Sequence, residues 1–93
     1  MIALVASKRE WLEGLAPSDL LRLPGFQTEE IVLGTKIIKL TVWHDVLETE
    51  EHRFVVQAVD DSGALGYATA DGFAQCSKGI KRPLTSEELM DFT

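Results

Sequence analysis

Four side chains in this sequence are of the types from which a nucleophilic site is assembled. They are His44, Asp45, His52 and Cys76: imidazoles to take a proton, a carboxylate to orient one of them, and a thiol to attack. Their spacing argues against that use. His44 and Asp45 are neighbours in a segment whose alternation predicts a strand, so their side chains leave on opposite faces and the carboxylate does not reach the ring. Cys76 follows Gln75 without the glycine turn or helix start that activates a cysteine nucleophile, and it reads as a structural thiol.

The two histidines are a second combination. In a hairpin turning about Thr49 they lie diagonally on one face, with Cα atoms about 7–8 Å apart, near enough to share a metal ion. Zinc usually takes a third protein ligand, and Glu48, Glu50 and Glu51 of the turn are the neighbours that would supply it. Neither histidine falls in a recognised ligand spacing, so no metal and no cofactor are assigned. Phosphate cradles are equally missing from the pattern, because Gly63, Gly66 and Gly72 open no helix. Asp71-Gly72-Phe73 reads as a strand bend.

The chain that carries these groups has 93 residues, 45% of them apolar and 26% charged, the composition of one folded domain spanning 1–93 with little interior to spare for a deep cavity. Fifteen Asp and Glu against nine Lys and Arg leave a charge of −6. That balance argues against nucleic acid, whose affinity comes largely from cations neutralising phosphates. The basic cluster Lys78, Lys81 and Arg82 reads as a solvated turn. Six carboxylates between positions 45 and 61, opposed only by Arg53, concentrate the acidity in one region. The apolar start over 1–6 falls far short of the ~20 residues of a membrane span. Lys8 and Arg9 follow it, where a secretory leader places its basic residues first, so the expectation is a cytosolic protein. A single cysteine excludes an internal disulfide and any site built on paired thiolates.

Punctuation and periodicity place the elements. Ser7-Lys8-Arg9-Glu10 has the form of a capping box and predicts a helix from about residue 8, with Trp11, Leu12 and Leu15 on its apolar stripe and a stop at Gly14 and Pro17. A turn or two over 18–23 and a break at Pro24-Gly25 follow. Residues 35–46 alternate as a strand, with Ile38, Leu40, Val42, His44 and Val46 inward and Ile37, Lys39, Thr41, Trp43 and Asp45 outward. A charged turn at 48–51 leads to a strand over 52–60, and Asp61-Ser62-Gly63 turns into another over about 65–73. Residues 31–34 are the candidate fourth strand.

Cross-strand partners share a face, which makes register testable. Hairpins centred on Thr49 and Ser62 pair Val42 with Val56 and His44 with Phe54, then Val56 with Ala68 and Phe54 with Ala70. Small residues Gly66, Ala68, Ala70 and Gly72 then lie beneath the N-terminal helix, and Asp45, Arg53 and Asp71 form an ion-pair row on the outer face. Thr85 with Glu88 predicts a capped C-terminal helix, Leu84 and Leu89 stapling its entry and Phe92 following on the same side. The expected fold is α+β: an antiparallel meander of three to four strands with an N-terminal and a short C-terminal helix. A small β-barrel-like domain is the alternative.

Trp43, Val55, Val59, Leu65, Tyr67 and Phe73 make the outer face aromatic and apolar, while Lys39, Thr41, Gln57 and Thr69 keep it polar in part. Mixed faces of this kind occur at contact surfaces. The competing reading is a terminal helix covering that face as a second core layer. The function expected from this face is a non-catalytic protein-interaction domain, an adaptor, inhibitor or homo-oligomer subunit. It would present Trp43, Val55, Tyr67 and Phe73, together with the acidic turn residues Glu48, Glu50 and Glu51, to a protein partner or a second copy in a homodimer. The alternative is a small enzyme, or a protein binding a small ligand or metal, that uses His44, His52 or Cys76. Convergence of the two histidines and Cys76 on one cavity separates the two.

Overall fold

Val5 and Leu12, two turns apart, are the buried residues of the first helix, α1 (Ile2–Glu13), in the computed structural model, which describes residues 2–60 and 68–92. This helix starts well before the expected position, so Ser7 and Glu10 lie within it and cap nothing. Its buried stripe also differs from the predicted one: Leu12 is sealed, but Trp11 is 55% exposed and lies beneath the Lys8 ammonium at 4.5 Å. Gly14 and the following Pro17 end it as expected. A short helix α2 (Pro17–Leu21) with proline in its first turn then buries Leu20.

Five strands follow as a meander, β1 (Phe26–Leu33), β2 (Lys36–Val46), β3 (His52–Asp60), β4 (Ala68–Gln75) and β5 (Lys81–Pro83), all antiparallel and in that order across one sheet. β1 and β5 are opposite edges of an open sheet, which overturns the barrel-like alternative. It also raises the expected three to four strands to five. Residues 31–34 proved to be the end of the much longer β1. Its residues 26–30 escaped prediction because an edge strand wetted on both faces has no apolar alternation to reveal it. β1 and β2 join through Gly34-Thr35, with Gly34 at φ 64° supplying the positive φ that a two-residue hairpin needs at its first position.

The first predicted register holds: Val42 pairs with Val56, His44 with Phe54 and Asp45 with Arg53. The second does not. Val56 meets Asp71 and Phe54 meets Phe73, a slip of three positions from Ala68 and Ala70. The predicted turn Asp61-Ser62-Gly63, with Leu65, Gly66 and Tyr67, lies outside the described residues. An odd slip exchanges the faces of β4. Phe73 therefore turns inward to stack on Phe54 at 5.3 Å between ring centres, burial worth about 1.5–3 kcal/mol. Asp71 leaves the predicted ion-pair row and bonds Arg9 of α1 at 2.7 Å, while the Asp45–Arg53 pair remains. The inner side of β4 is thus not the run of small residues expected, although α1 does pack over β3 and β4.

Each face of the sheet has its own core. On the α1 side Val5, Leu12 and Leu20 pack with Ile38, Leu40, Val42, Phe54, Val56, Ala58 and Phe73. On the other side Val55, Ala74 and Leu84 form a smaller cluster joined by Trp43, Leu89 and Phe92. The latter is covered by α3 (Ser86–Leu89) and a single 3₁₀ turn (Met90–Phe92). The α3 entry is the predicted one: Thr85 accepts from the Glu88 amide at 3.3 Å, and Glu88 reaches back to the Thr85 amide at 3.1 Å. No helix among the described residues is long and apolar enough to cross a membrane.

Gly72 is hemmed in by the β3 backbone and by Leu84. A Cβ there would sit 2.2 Å from the Phe54 carbonyl oxygen and 3.0 Å from Leu84 Cδ1, so Gly72→Ala is expected to cost about 3 kcal/mol in chemical denaturation. Arg82 clamps α3 to the β2–β3 turn by bonding Glu88 at 2.9 and 3.0 Å and Glu51 at 2.9 and 3.1 Å. The guanidinium, and next the Thr85 amide, hold the Glu88 carboxyl at about 2, against an ordinary 4.5. Arg82 and then Thr49 lower Glu51 as well. A depressed carboxylate stabilises the fold above its unfolded pKa and loses that contribution as pH falls through the folded one. Stability should therefore decline from about pH 4.5 toward 2, and more shallowly in Arg82→Met, as urea titrations at each pH would read.

Candidate functional site

β2 carries His44 on its inner face and β3 begins with His52, so the expected diagonal pair forms. His44 Nε2 and His52 Nδ1 are 2.8 Å apart, and His44 stacks on Phe54 at 4.6 Å. The hydrogen positions follow from the far end. His44 Nδ1 lies 2.9 Å from the Leu23 carbonyl oxygen, which only accepts, so Nδ1 carries the proton and donates. In the neutral ring Nε2 is then an acceptor, and His52 Nδ1–H must donate to it. His52 is left with its Nε2 lone pair as the free end of the chain.

His52 also lines a cleft of about 360 Å³, together with Pro17, Ser18 and Leu21 of α2, Glu50, Gln75, Cys76, Ser77 and Gly79. Its walls are two turns of one geometry. In the β2–β3 turn Leu47 N donates to Glu51 O and Glu50 N to Leu47 O; in the β4–β5 turn Cys76 N donates to Ile80 O and Gly79 N to Cys76 O. Each is a three-residue loop whose last position is left-handed. Glycine occupies that position in the second, at φ 80°, but the first places Glu50 there at φ 68°. A smaller hollow of about 150 Å³, lined by Thr49, Glu50, Glu51, Cys76 and Ser77, adjoins the cleft.

Of the nucleophilic set, His52 and Cys76 therefore share a cleft and His44 stands behind His52. Asp45 lies on the opposite face with Arg53. No three His, Cys, Asp or Glu side chains among the described residues come together as metal ligands, so the turn glutamates do not complete a site around the histidine pair. Gln75 was missed by sequence reasoning. It is 2% exposed, stands directly opposite His52, and its Oε1 has no hydrogen-bond partner among the described residues. Sequence reasoning ended this strand at about residue 73 and gave Gln75 no face, and only the longer β4 in its observed register sets it opposite His52.

The residues expected to meet a partner are mostly occupied. Val55 is 0% and Phe73 1% exposed, in the outer and inner cores respectively, so neither offers surface. Trp43 is half-buried between Phe26 at 5.7 Å and Phe92 at 5.9 Å. Its indole N–H donates to Gln57 Oε1 at 3.1 Å, and Gln57 Nε2 donates to the Phe92 carbonyl at 2.7 Å. The aromatic face has become the seat of the C-terminal tail, the competing reading of the sequence. Tyr67 lies outside the described residues. Glu48 and Glu50 are exposed, but Glu51 is bound to Arg82.

What remains open is the β1 edge. His44 N donates to Gly25 O at 2.9 Å, which places Gln27, Glu29, Ile31 and Leu33 in the bonded pairs with β2 and turns the backbone groups of Phe26, Thr28, Glu30 and Val32 outward. No strand among the described residues lies beyond them.

The left-handed Glu50 costs backbone energy that glycine would not. Glu50→Gly is expected to stabilise the fold by about 1 kcal/mol in thermal or urea unfolding. No family model, curated protein or solved structure matches this chain.

Proposed function

We propose that this chain is a non-catalytic protein-interaction domain that takes an extended basic segment of a partner protein onto β1 as a sixth strand. The open eight-residue edge carries the reading: four residues with outward N–H and C=O groups, flanked by the exposed Phe26, Val32 and Leu33. The other edge offers little, since β5 has three residues and ends in Pro83.

Charge selects the partner. Two-fold antiparallel pairing of β1 with a second copy keeps like residues on one face, and the two registers of greatest overlap set Glu29 against Glu29 or Glu30 against Glu30. Direct opposition of like charges disfavours both. A strand bearing Lys or Arg at alternating positions meets Glu30 on one face, or on the other Glu29, which Lys8 already pairs at 3.5 Å, and the net charge of −6 steers its approach. Because Cys76 has no second cysteine to pair with, a reducing cytosolic setting suits the domain.

The test uses a labelled octapeptide alternating Lys with Thr or Val, titrated against the wild type and against Glu30→Pro. Proline at 30 removes an outward N–H while leaving the β1–β2 bonds in place. Binding that weakens with salt and is lost in Glu30→Pro, with circular dichroism unchanged, supports the proposal. A wild type that ignores the peptide, or a variant that binds it equally well, sinks it. Concentration-dependent dimers that Glu30→Pro abolishes would assign the edge to a second copy instead.

A further inference from the structure

The cleft walled by α2 and the two matching turns has a chemistry separate from the β1 edge. We infer that it binds a small organic cation, an ammonium or guanidinium group on a short apolar stem.

Its polar lining is Ser18, Glu50, His52, Gln75, Cys76 and Ser77, and no lysine or arginine is among its described lining residues. The strongest of these groups accept. His52 lines the cleft with its Nε2 lone pair unengaged, since its Nδ1–H is committed to His44. Glu50 supplies a carboxylate. The carbonyl oxygen of Gln75 is a further acceptor, sealed without a partner just beneath the lining, and a donor in the cleft reaches it once the side chain turns outward. A buried acceptor without a donor is unfavourable, and a cleft with two acceptors among its lining residues, an orphan acceptor beneath them and no fixed cation is complementary to a ligand rich in N–H donors and positive charge. An anion would find no cationic side chain and would face Glu50. Pro17 and Leu21 provide an apolar wall for the stem, and about 360 Å³ is within the range of small-molecule sites.

Such a cation can arrive as a free amine or as the Lys or Arg side chain of a protein. Calorimetric titration with agmatine and n-butylammonium, with n-butanol and butyrate as neutral and anionic controls, reads the site directly. Binding of the two cations and not of the controls is expected. Two variants locate it. Gln75→Leu removes the orphan acceptor at similar volume, so the free protein should melt higher while cation affinity falls about tenfold or more. His52→Asn keeps a donor toward His44 but deletes Nε2, and should weaken binding comparably. Glu30→Pro should leave cation binding unchanged, so that failure of the β1 edge and failure of the cleft are told apart. Agmatine displacing the basic octapeptide assigns the cleft to a partner's side chain, and independent binding assigns it to a free amine. No binding of either cation to the wild type, equal binding of the controls, or wild-type affinity in Gln75→Leu overturns the inference.

Discussion

The pairing of β3 with β4 decides which side of the sheet every residue of β4 occupies, and most of the molecule follows from it. With Phe54 opposite Phe73, the largest apolar side chain of β4 joins the core under α1. Asp71 comes within reach of Arg9, Ala74 faces α3, and Gly72 passes beneath Leu84 where no larger residue fits. The same parity brings Gln75 beside His52. A pairing displaced by one position would undo all of these contacts together, because side chains in a strand alternate with a period of two.

A sheet with a helix on each face has little broad surface to offer. The C-terminal segment is short, yet it is held at several points: the Thr85 and Glu88 capping box, the Arg82 clamp, and the bond from Gln57 to the Phe92 carbonyl. By covering Val55 and half of Trp43 it converts an aromatic face into a second core. What is left uncovered is a direction, the row of outward backbone groups along β1. Backbone groups at an edge are satisfied by water until another strand replaces it, and the charges beside them set which strand is acceptable.

The histidine pair and the cleft show polar groups ordered from the inside out. The Leu23 carbonyl sets the His44 tautomer, His44 sets that of His52, and His52 is left with one unengaged nitrogen. Beside it Gln75 keeps a carbonyl oxygen out of water at a cost of about 1–3 kcal/mol, and Glu50 holds a left-handed conformation that its counterpart Gly79 adopts freely. Two local costs fall in one cleft, while the cores around it are filled by apolar side chains in close contact.

Local pattern was enough to read the alternation of β2 and β3, their hairpin register about Thr49, the end of α1 before Pro17 and the capped entry to α3. Each rests on residues within a few positions of one another. The diagonal relation of His44 and His52 was legible for the same reason. The start of α1 and the exposure of Trp11 were not, since neither capping pattern nor stripe says which turn of a helix a distant strand will bury. β5 and all of β1 but its last residues stayed hidden because edge strands meet water and carry no burial signature. Tertiary structure alone decided the β3–β4 register, through the volume of Phe73 against Phe54 across a connection that local turn chemistry did not specify, and with it the site. Gln75, Cys76 and His52 come from separate elements, and only packing over long sequence distances determines that they share a cleft.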